Sequence, residues 1–438
     1  MLRINKTTLT AVAILLGTAS LSAQRAELSN FRPNDKNGSM VFETPKDPAG
    51  EFEKVKVRIG GNFTQQFQAL DHENTAFVDT SGIVNPLYDL KPGFNLATAN
   101  LNLDAQLHDG INLNLVTYLS SRHHAEAWVK GGFIQIDRLG FFNSPAIDGI
   151  MDYVTLKIGH MEINYGDAHF FRTDNGNSIY NPFVGNNIVD AFNTEIGAEV
   201  YVRHKGWMAM AGLTGGEING NVSESQATET DDNPNRSPSV LAKIGYDRQV
   251  NEDFRVRVTG SGYYTASSAA NHLFDGDRSG SRYYLVMAEP GARAGDRGVF
   301  PSGRYNPGFS DQVTTIMGNI LLKYKGLEFF GLYENGSGSS SAETESRNFT
   351  QLSGSLLYRI GKEERVYVGG RYNTVVAEDP SGPEVTINRY QLAAGWYVID
   401  NILFKVEYVN QEYQDFLETS QFADGRFNGF MIEAAVGF

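Results

Sequence analysis

The sequence predicts an all-β protein: a transmembrane antiparallel β-barrel of about sixteen strands, with short turns at one end and long loops at the other. Three observations predict it. Apolar and polar residues alternate with a period of two from Val55 onward. Tight links alternate along the chain with long polar ones. The chain closes on an amphipathic strand whose last residue is Phe438.

Alternation gives each strand one apolar and one wet face. Val55, Val57, Ile59, Phe63 and Phe67 alternate with Lys56, Arg58, Asn62, Thr64 and Gln66. Leu101, Leu103, Ala105 and Leu107 alternate in the same way with Asn102, Asp104, Gln106 and His108. Continued along the chain, the pattern predicts strands near 55–69, 94–108, 111–120, 126–137, 153–160, 194–204, 207–214, 239–247, 254–265, 313–324, 327–335, 348–359, 366–376, 385–398, 402–411 and 428–438. A soluble sandwich would alternate too, so the connections carry the decision. Asp109-Gly110, Lys205-Gly206, Lys325-Gly326 and Asp400-Asn401 are hairpin signals. Between them lie long links at 70–93, 161–193, 215–238, 266–312, 336–347 and 412–427. In a meander this order gathers the turns at one end of a barrel and the loops at the other. Two links depart from it: 121–125 is short where a loop is due, and 138–152 is long where a turn is due.

Composition agrees. The chain has 438 residues, with Gly 46, Tyr 21 and Phe 27 beside Trp 3 and Pro 14, a mixture that suits strands. Its mean hydropathy is below zero, which excludes a helical membrane bundle but not a barrel, whose strands are half polar. Cysteine is absent, so there is no disulfide, thiolate metal site, cysteine nucleophile or lipoprotein anchor. The net charge of −14 argues against nucleic acid as a partner.

The N-terminus reads as an export signal. Arg3 and Lys6 precede the apolar run Leu9–Leu16 and the small residues up to Ala23. The expected organisation is a signal peptide over 1–23, a periplasmic N-terminal segment over 24–54, and a barrel over 55–438. Removing the signal leaves 35 bases against 51 acids, a charge of −16.

In the last strand Phe430, Ile432, Ala434, Val436 and Phe438 share one face. This resembles the terminal strand of bacterial outer-membrane barrels. Tyr324, Tyr358, Tyr372, Trp396, Tyr397 and Tyr408 lie toward strand ends, as interfacial girdles require.

With the apolar parity outward, eleven bases point into the lumen: Lys56, Arg58, Lys157, Arg203, Lys243, Arg255, Arg257, Lys323, Arg371, Arg389 and Lys405. Seven acids join them: Asp104, Glu195, Glu199, Glu328, Glu334, Glu407 and Glu433. Two readings stand side by side. Either the basic surplus favours anions in a pore, or the charges pair and merely solvate a wide lumen. The pairs Gly60-Gly61, Gly131-Gly132 and Gly369-Gly370 are candidate bulges that would shift the parity.

The link 161–193, MEINYGDAHFFRTDNGNSIYNPFVGNNIVDAFN, is longer and more aromatic than a connector needs. It is expected to fold inward as a constriction carrying Asp167, His169, Arg172, Asp174 and Tyr180, with an external packed loop as the other reading.

Catalytic motifs and cofactor fingerprints are lacking, and no cofactor or metal is expected. His123 and His124 would point to opposite sides of a strand, a poor pair of ligands. Asp174-Asn175-Gly176-Asn177 reads as a turn before a Ca²⁺ site. A barrel lipase would need a Ser–His pair on the lipid face, which the pattern does not offer.

The segments FRPNDKNGSMVFETPKD, VRIGGNFTQQFQALDHEN and YGDAHFFRTDNGNSIYNPFVGNNIVDAF resemble porin-like outer-membrane proteins of Bacteroidota. That group is distantly similar to the phosphate-selective porins O and P. The resemblance covers the first half by motif and the last strand by type. It implies a passive diffusion channel for small hydrophilic solutes or anions, homotrimeric, embedded among outer-membrane lipid and lipopolysaccharide. The short 121–125 link departs from porins whose second loop latches a neighbouring subunit. No motif matches the lysine and arginine ladder of phosphate-selective channels, so that selectivity is not carried over. A closed barrel acting as an adhesin, or as the partner subunit of a larger complex, is the alternative.

Overall fold

The computed structural model describes residues 28, 30–44, 46, 52–94, 98–119, 127–172, 177–216, 236–268, 270–275, 284–292 and 303–438. The expected signal peptide and the His123-His124 pair lie outside the described residues.

Sixteen antiparallel strands close into one barrel: β1 (Lys56–Glu73), β2 (Thr98–His108), β3 (Ile111–Leu119), β4 (Ala127–Ile136), β5 (Val154–Glu162), β6 (Thr194–His204), β7 (Trp207–Thr214), β8 (Ser239–Gln249), β9 (Phe254–Thr265), β10 (Gln312–Tyr324), β11 (Leu327–Ser339), β12 (Arg347–Ile360), β13 (Val366–Glu378), β14 (Glu384–Ile399), β15 (Ile402–Gln414) and β16 (Arg426–Gly437). Each pairs with its neighbours in sequence, and β1 pairs with both β2 and β16. Closure leaves no unpaired edge to face lipid.

The seam shows why two glycines stand together in β1. Phe438 exchanges both backbone hydrogen bonds with Gly61, each 3.0 Å. A Cβ on Gly60 would come within 2.7 Å of the Phe438 carbonyl oxygen, and one on Gly61 within 3.0 Å of its ring. The Gly60-Gly61 pair therefore makes room for the C-terminus and carries no bulge. Gly369-Gly370 also pairs in regular register. Only Gly131-Gly132 adjoins a register shift, at Val116/Thr117.

The turns gather at one end. In Lys205-Gly206 both residues have positive φ, 50° and 90°, the mirror-image turn that matches strand twist. The long link after β4 holds a short helix, Pro145–Met151, with proline in its first turn. Phe141, Phe142 and Ile150 of that link are exposed beside the lipid belt.

Outward side chains are aliphatic at mid-height and aromatic toward both ends. Trp207, Tyr324, Tyr358 and Trp396 lie exposed near the turns, and Tyr372, Tyr390, Tyr408 and Phe430 nearer the loops. Tyr372 and Tyr390 pack at 4.8 Å between ring centroids, Tyr408 and Phe430 at 5.2 Å. Tyr397 does not belong to the girdle. It neighbours Trp396 in one strand, so it must take the opposite face, and it is buried in the lumen with its hydroxyl donating 2.7 Å to the Ile179 carbonyl. No described helix is long and apolar enough to cross a membrane; the strands make the crossing.

Candidate functional site: the barrel lumen

The lumen is filled along most of its circumference. Residues 163–172 and 177–193 run inside the barrel, with Ile163, Tyr165, Val184, Ile188 and Val189 packed against wall side chains such as Tyr201, Met210, Tyr263 and Met317. Leu273, Phe274, Tyr284 and Met287, from the loop between β9 and β10, join the same cluster.

Irregular backbone inside a barrel has no ladder to satisfy it, so each N–H and C=O needs another partner. The wall supplies them. The N–H groups of Asn164, Asp167, Val184, Ile188 and Val189 donate to Glu199, Asn319, Glu407, Asn373 and Gln351 at 2.7 to 2.9 Å. In return, the Lys405 ammonium donates to the carbonyls of Ser178, Asn181 and Phe183 at 3.0 to 3.1 Å. Arg389 donates to Asn186 O at 2.7 Å. Arg371 bonds the Gly185 carbonyl and lies over the Phe183 ring.

The N-terminal segment enters the same space from the turn end. Residues 30–44 cross the mouth from the β13–β16 side to the β4–β9 side. Lys36 N–H donates 2.8 Å to Asp400 O, Asn34 reaches Phe438 O at 3.2 Å, and Lys46 reaches Asp137 O at 3.0 Å. Arg32 lies 3.7 Å from the Tyr180 ring centroid and donates 3.0 Å to Phe170 O. Phe42 packs edge-on against Phe170 and Phe171.

The two inserted segments meet at one charge cluster. Asp167 receives two hydrogen bonds from Arg257, both 2.8 Å, and lies 2.8 Å from the Lys243 ammonium. Glu43 lies 2.9 Å from Arg257 and 3.2 Å from Lys243. Burial alone would push both carboxyls up, but the two cations override it. Asp167 is held at about 2, and Glu43 well below the usual carboxylate range.

One arc stays open. A cavity is lined by Arg58, Asn62, Asn102, Asn112, Phe133 and Tyr180, among others. It adjoins a second, which shares Arg32, Thr44, Phe133, Gln135 and Asn177 with it and adds Lys157 and Arg203. A third space at the turn-end mouth shares Glu43 and Arg203 with the second.

The eleven predicted bases lie on the lumen parity but in different settings. Arg58 pairs with Asp104, Lys243 and Arg257 with Asp167 and Glu43, Arg255 with Asp247, Lys323 with Glu364, and Lys405 with Glu433. Arg371 and Arg389 hold loop carbonyls. Lys56 stands at the start of β1, at the turn-end rim. Lys157 and Arg203 face the open cavity with no carboxylate within ion-pair distance among the described residues. Of the loop residues, Arg172 chelates Asp190 at 2.9 and 3.0 Å, His169 bonds Glu162 and Asn164, and the Tyr180 hydroxyl donates to Pro33 O. Asp174 lies outside the described residues.

Strand parity missed Arg359, which pairs with Glu328 at 2.8 Å, and Lys130, which lies over the Tyr118 ring. Both sit on inward positions and were findable by the same rule. Glu43 was not, because nothing in residues 24–54 alternates.

This fold is similar to solved outer-membrane porins. An anion-selective porin from Comamonas acidovorans superposes with a TM-score of 0.51 at 9% identity, over 88% of this chain and 100% of its own. The outer membrane channel DcaP of Acinetobacter baumannii gives 0.50 at 10% identity, over 88% and 98%. OmpT of Vibrio cholerae gives 0.49 at 11% identity, over 89% and 100%. No family model matches the chain, and no curated protein matches it in sequence. At such identities the likeness is one of fold. The chain has the porin-like outer-membrane channel fold, and its place is the bacterial outer membrane.

Proposed function

We propose that the protein is a porin: a passive diffusion channel for small hydrophilic solutes and ions. The observation that carries this reading is the run of polar cavities beside β1–β6, which reaches the turn-end mouth past Arg203. Solute crosses along that arc, between the inserted loop and the N-terminal segment. The loop and that segment set the narrowest section. Lys157 and Arg203 give the path a weak anion preference, in keeping with the description of the Comamonas porin as anion-selective. The protein assembles as a homotrimer among outer-membrane lipid and lipopolysaccharide, and is related to the porin-like proteins of Bacteroidota. The likeness of FRPNDKNGSMVFETPKD and the loop motif to that group supports this part of the reading.

Planar-bilayer recording of the purified protein tests it. The expected result is a steady ohmic conductance, with liposome swelling in small sugars. A second reading, a closed barrel serving as an adhesin or partner subunit, draws on the N-terminal segment crossing the turn-end mouth. A barrel that inserts and passes no current would decide for it.

A further inference from the structure

The wall facing the open cavity has an unusual chemistry. Asn62 of β1, Asn102 of β2 and Asn112 of β3 line the same cavity. Each is more than nine-tenths buried, with 7, 9 and 3% of its surface exposed. Their three Oδ1 atoms and the Asn112 Nδ2 have no hydrogen-bond partner among the described residues. Buried polar groups are almost always paired, so several unpaired amides in the wall of one cavity mark a place where a ligand or water completes the bonding. The nearest charges are already spent. Arg58 donates to Asp104 at 3.0 and 2.5 Å, and Asn114 donates to the other Asp104 oxygen at 2.6 Å. Phe31, Phe133 and Tyr180 add aromatic surface to the lining.

Resting on the channel reading above, we propose that this cavity is a subsite for neutral polyhydroxylated solutes, sugars of one or two rings. An amide offers one acceptor and two donors, and a hydroxyl is both donor and acceptor, so a polyol can satisfy either end of each asparagine. Phosphate carries only one or two O–H donors at neutral pH against its several acceptors, so it matches the three amide oxygens less well than a polyol does. Of the two cations in the lining, Arg58 is paired with Asp104, and Arg32 bonds the Gly38 and Phe170 carbonyls while its second terminal nitrogen has no partner among the described residues, so phosphate is the anion comparator in the test. The aromatic rings meet the C–H faces of a sugar.

The test uses full-length protein and maltose, with glucose and sodium phosphate as comparators. In planar bilayers, maltose interrupts the current in a saturable way. In detergent, isothermal titration reads the same binding as heat. Replacing Asn102 and Asn112 together by Leu raises the half-saturating concentration about tenfold, the loss of roughly one good hydrogen bond. The single variant Asn102→Ala serves where the double variant fails to fold, and moves it the same way by less. Heat with maltose but no current in the wild type would keep the subsite and sink the channel reading. No response to either sugar, a response to phosphate alone, or an unchanged response in correctly folded variants would each leave the cavity holding only water or anions and overturn the proposal.

Discussion

Two arcs of the lumen wall are built from the same alternating strands, yet their inward polar groups meet opposite fates. On the long arc, β6 to β16, polar side chains grip inserted backbone. Gln351 bonds both the N–H and the carbonyl of Val189, each at 2.9 Å, and Lys405 holds three carbonyls while lying 2.5 Å from Glu433. On the short arc, β1 to β3, Asn62, Asn102 and Asn112 line a cavity and keep amide atoms without a partner among the described residues. An inward polar residue in a wide barrel is thus scaffold or solute surface according to where the loop backbone runs. Its own identity does not say which.

Removing the loop is the strongest way to break that contrast. Shortening the chain between Gly166 and Asn187 strips the loop partners from Lys405, Glu407 and Arg371 and turns the long arc into a second water-facing wall. Single-channel conductance should rise severalfold, and swelling assays should admit larger sugars. A shortened variant that assembles with unchanged conductance would mean that the water path is bounded by other elements.

Point substitutions should separate the arcs by stability. Lys405→Met leaves the buried Glu433 without its cation, still bonded by Gln66 at 2.8 Å, beside three carbonyls that lose their donor, at a cost of about 3 to 5 kcal/mol. Asn112→Ala, on the open arc, removes no protein partner and should stay within about 0.5 kcal/mol. The midpoint temperature of heat modification on gels reads both. Equal shifts would erase the distinction between scaffold and solute wall.

Acid acts at the junction of the two inserted segments. Asp167 and Glu43 have carboxyls depressed below their ordinary values of 3.8 and 4.5. For depressed acids, the stabilisation is complete above the unfolded value and is lost as pH falls through the folded one. The cluster with Lys243 and Arg257 should therefore hold at neutral pH and come apart between pH of about 4 and about 2. Release of Glu43 frees the N-terminal segment from the mouth, so conductance should rise and become noisier in that window. Glu43→Gln should show part of that rise already at pH 7. A pH-independent conductance down to pH of about 2 would detach this cluster from the gating of the mouth.

The strands were legible because a period-two pattern needs no tertiary information. All sixteen predicted segments overlap the observed strands, and even the parity of buried charges such as Glu407 and Lys405 follows from it. Partner choice was not legible. Whether Arg389 faces water or the Asn186 carbonyl depends on the path of a loop whose backbone meets it across the lumen. Glu43 was invisible for a similar reason: its segment has no periodicity, and its two cations come from β8 and β9. The Gly60-Gly61 pair misled because a glycine that relieves a close approach looks the same in sequence as one that marks a bulge.

The smallest effect, on ion preference, sharpens the comparison most finely. A fixed charge biases permeation only if its field reaches the water path without a counter-charge beside it. Lys323 lies 2.5 Å from Glu364, so the pair acts on a distant ion as a dipole. Lys157 and Arg203 line the open cavity with no carboxylate within ion-pair distance among the described residues, the Lys157 ammonium at 4.6 Å from the Phe133 centroid. Replacing Lys157 and Arg203 together by Gln should move the reversal potential in a salt gradient toward cations. Replacing Lys323 and Glu364 together by Gln removes one charge of each sign and should leave it in place. The shift should shrink from 0.1 M to 1 M salt, as the screening length falls from about 10 Å to about 3 Å. Equal responses from the two double variants would show that the preference is set by the summed charge of the wall rather than by the two bases exposed on its open arc.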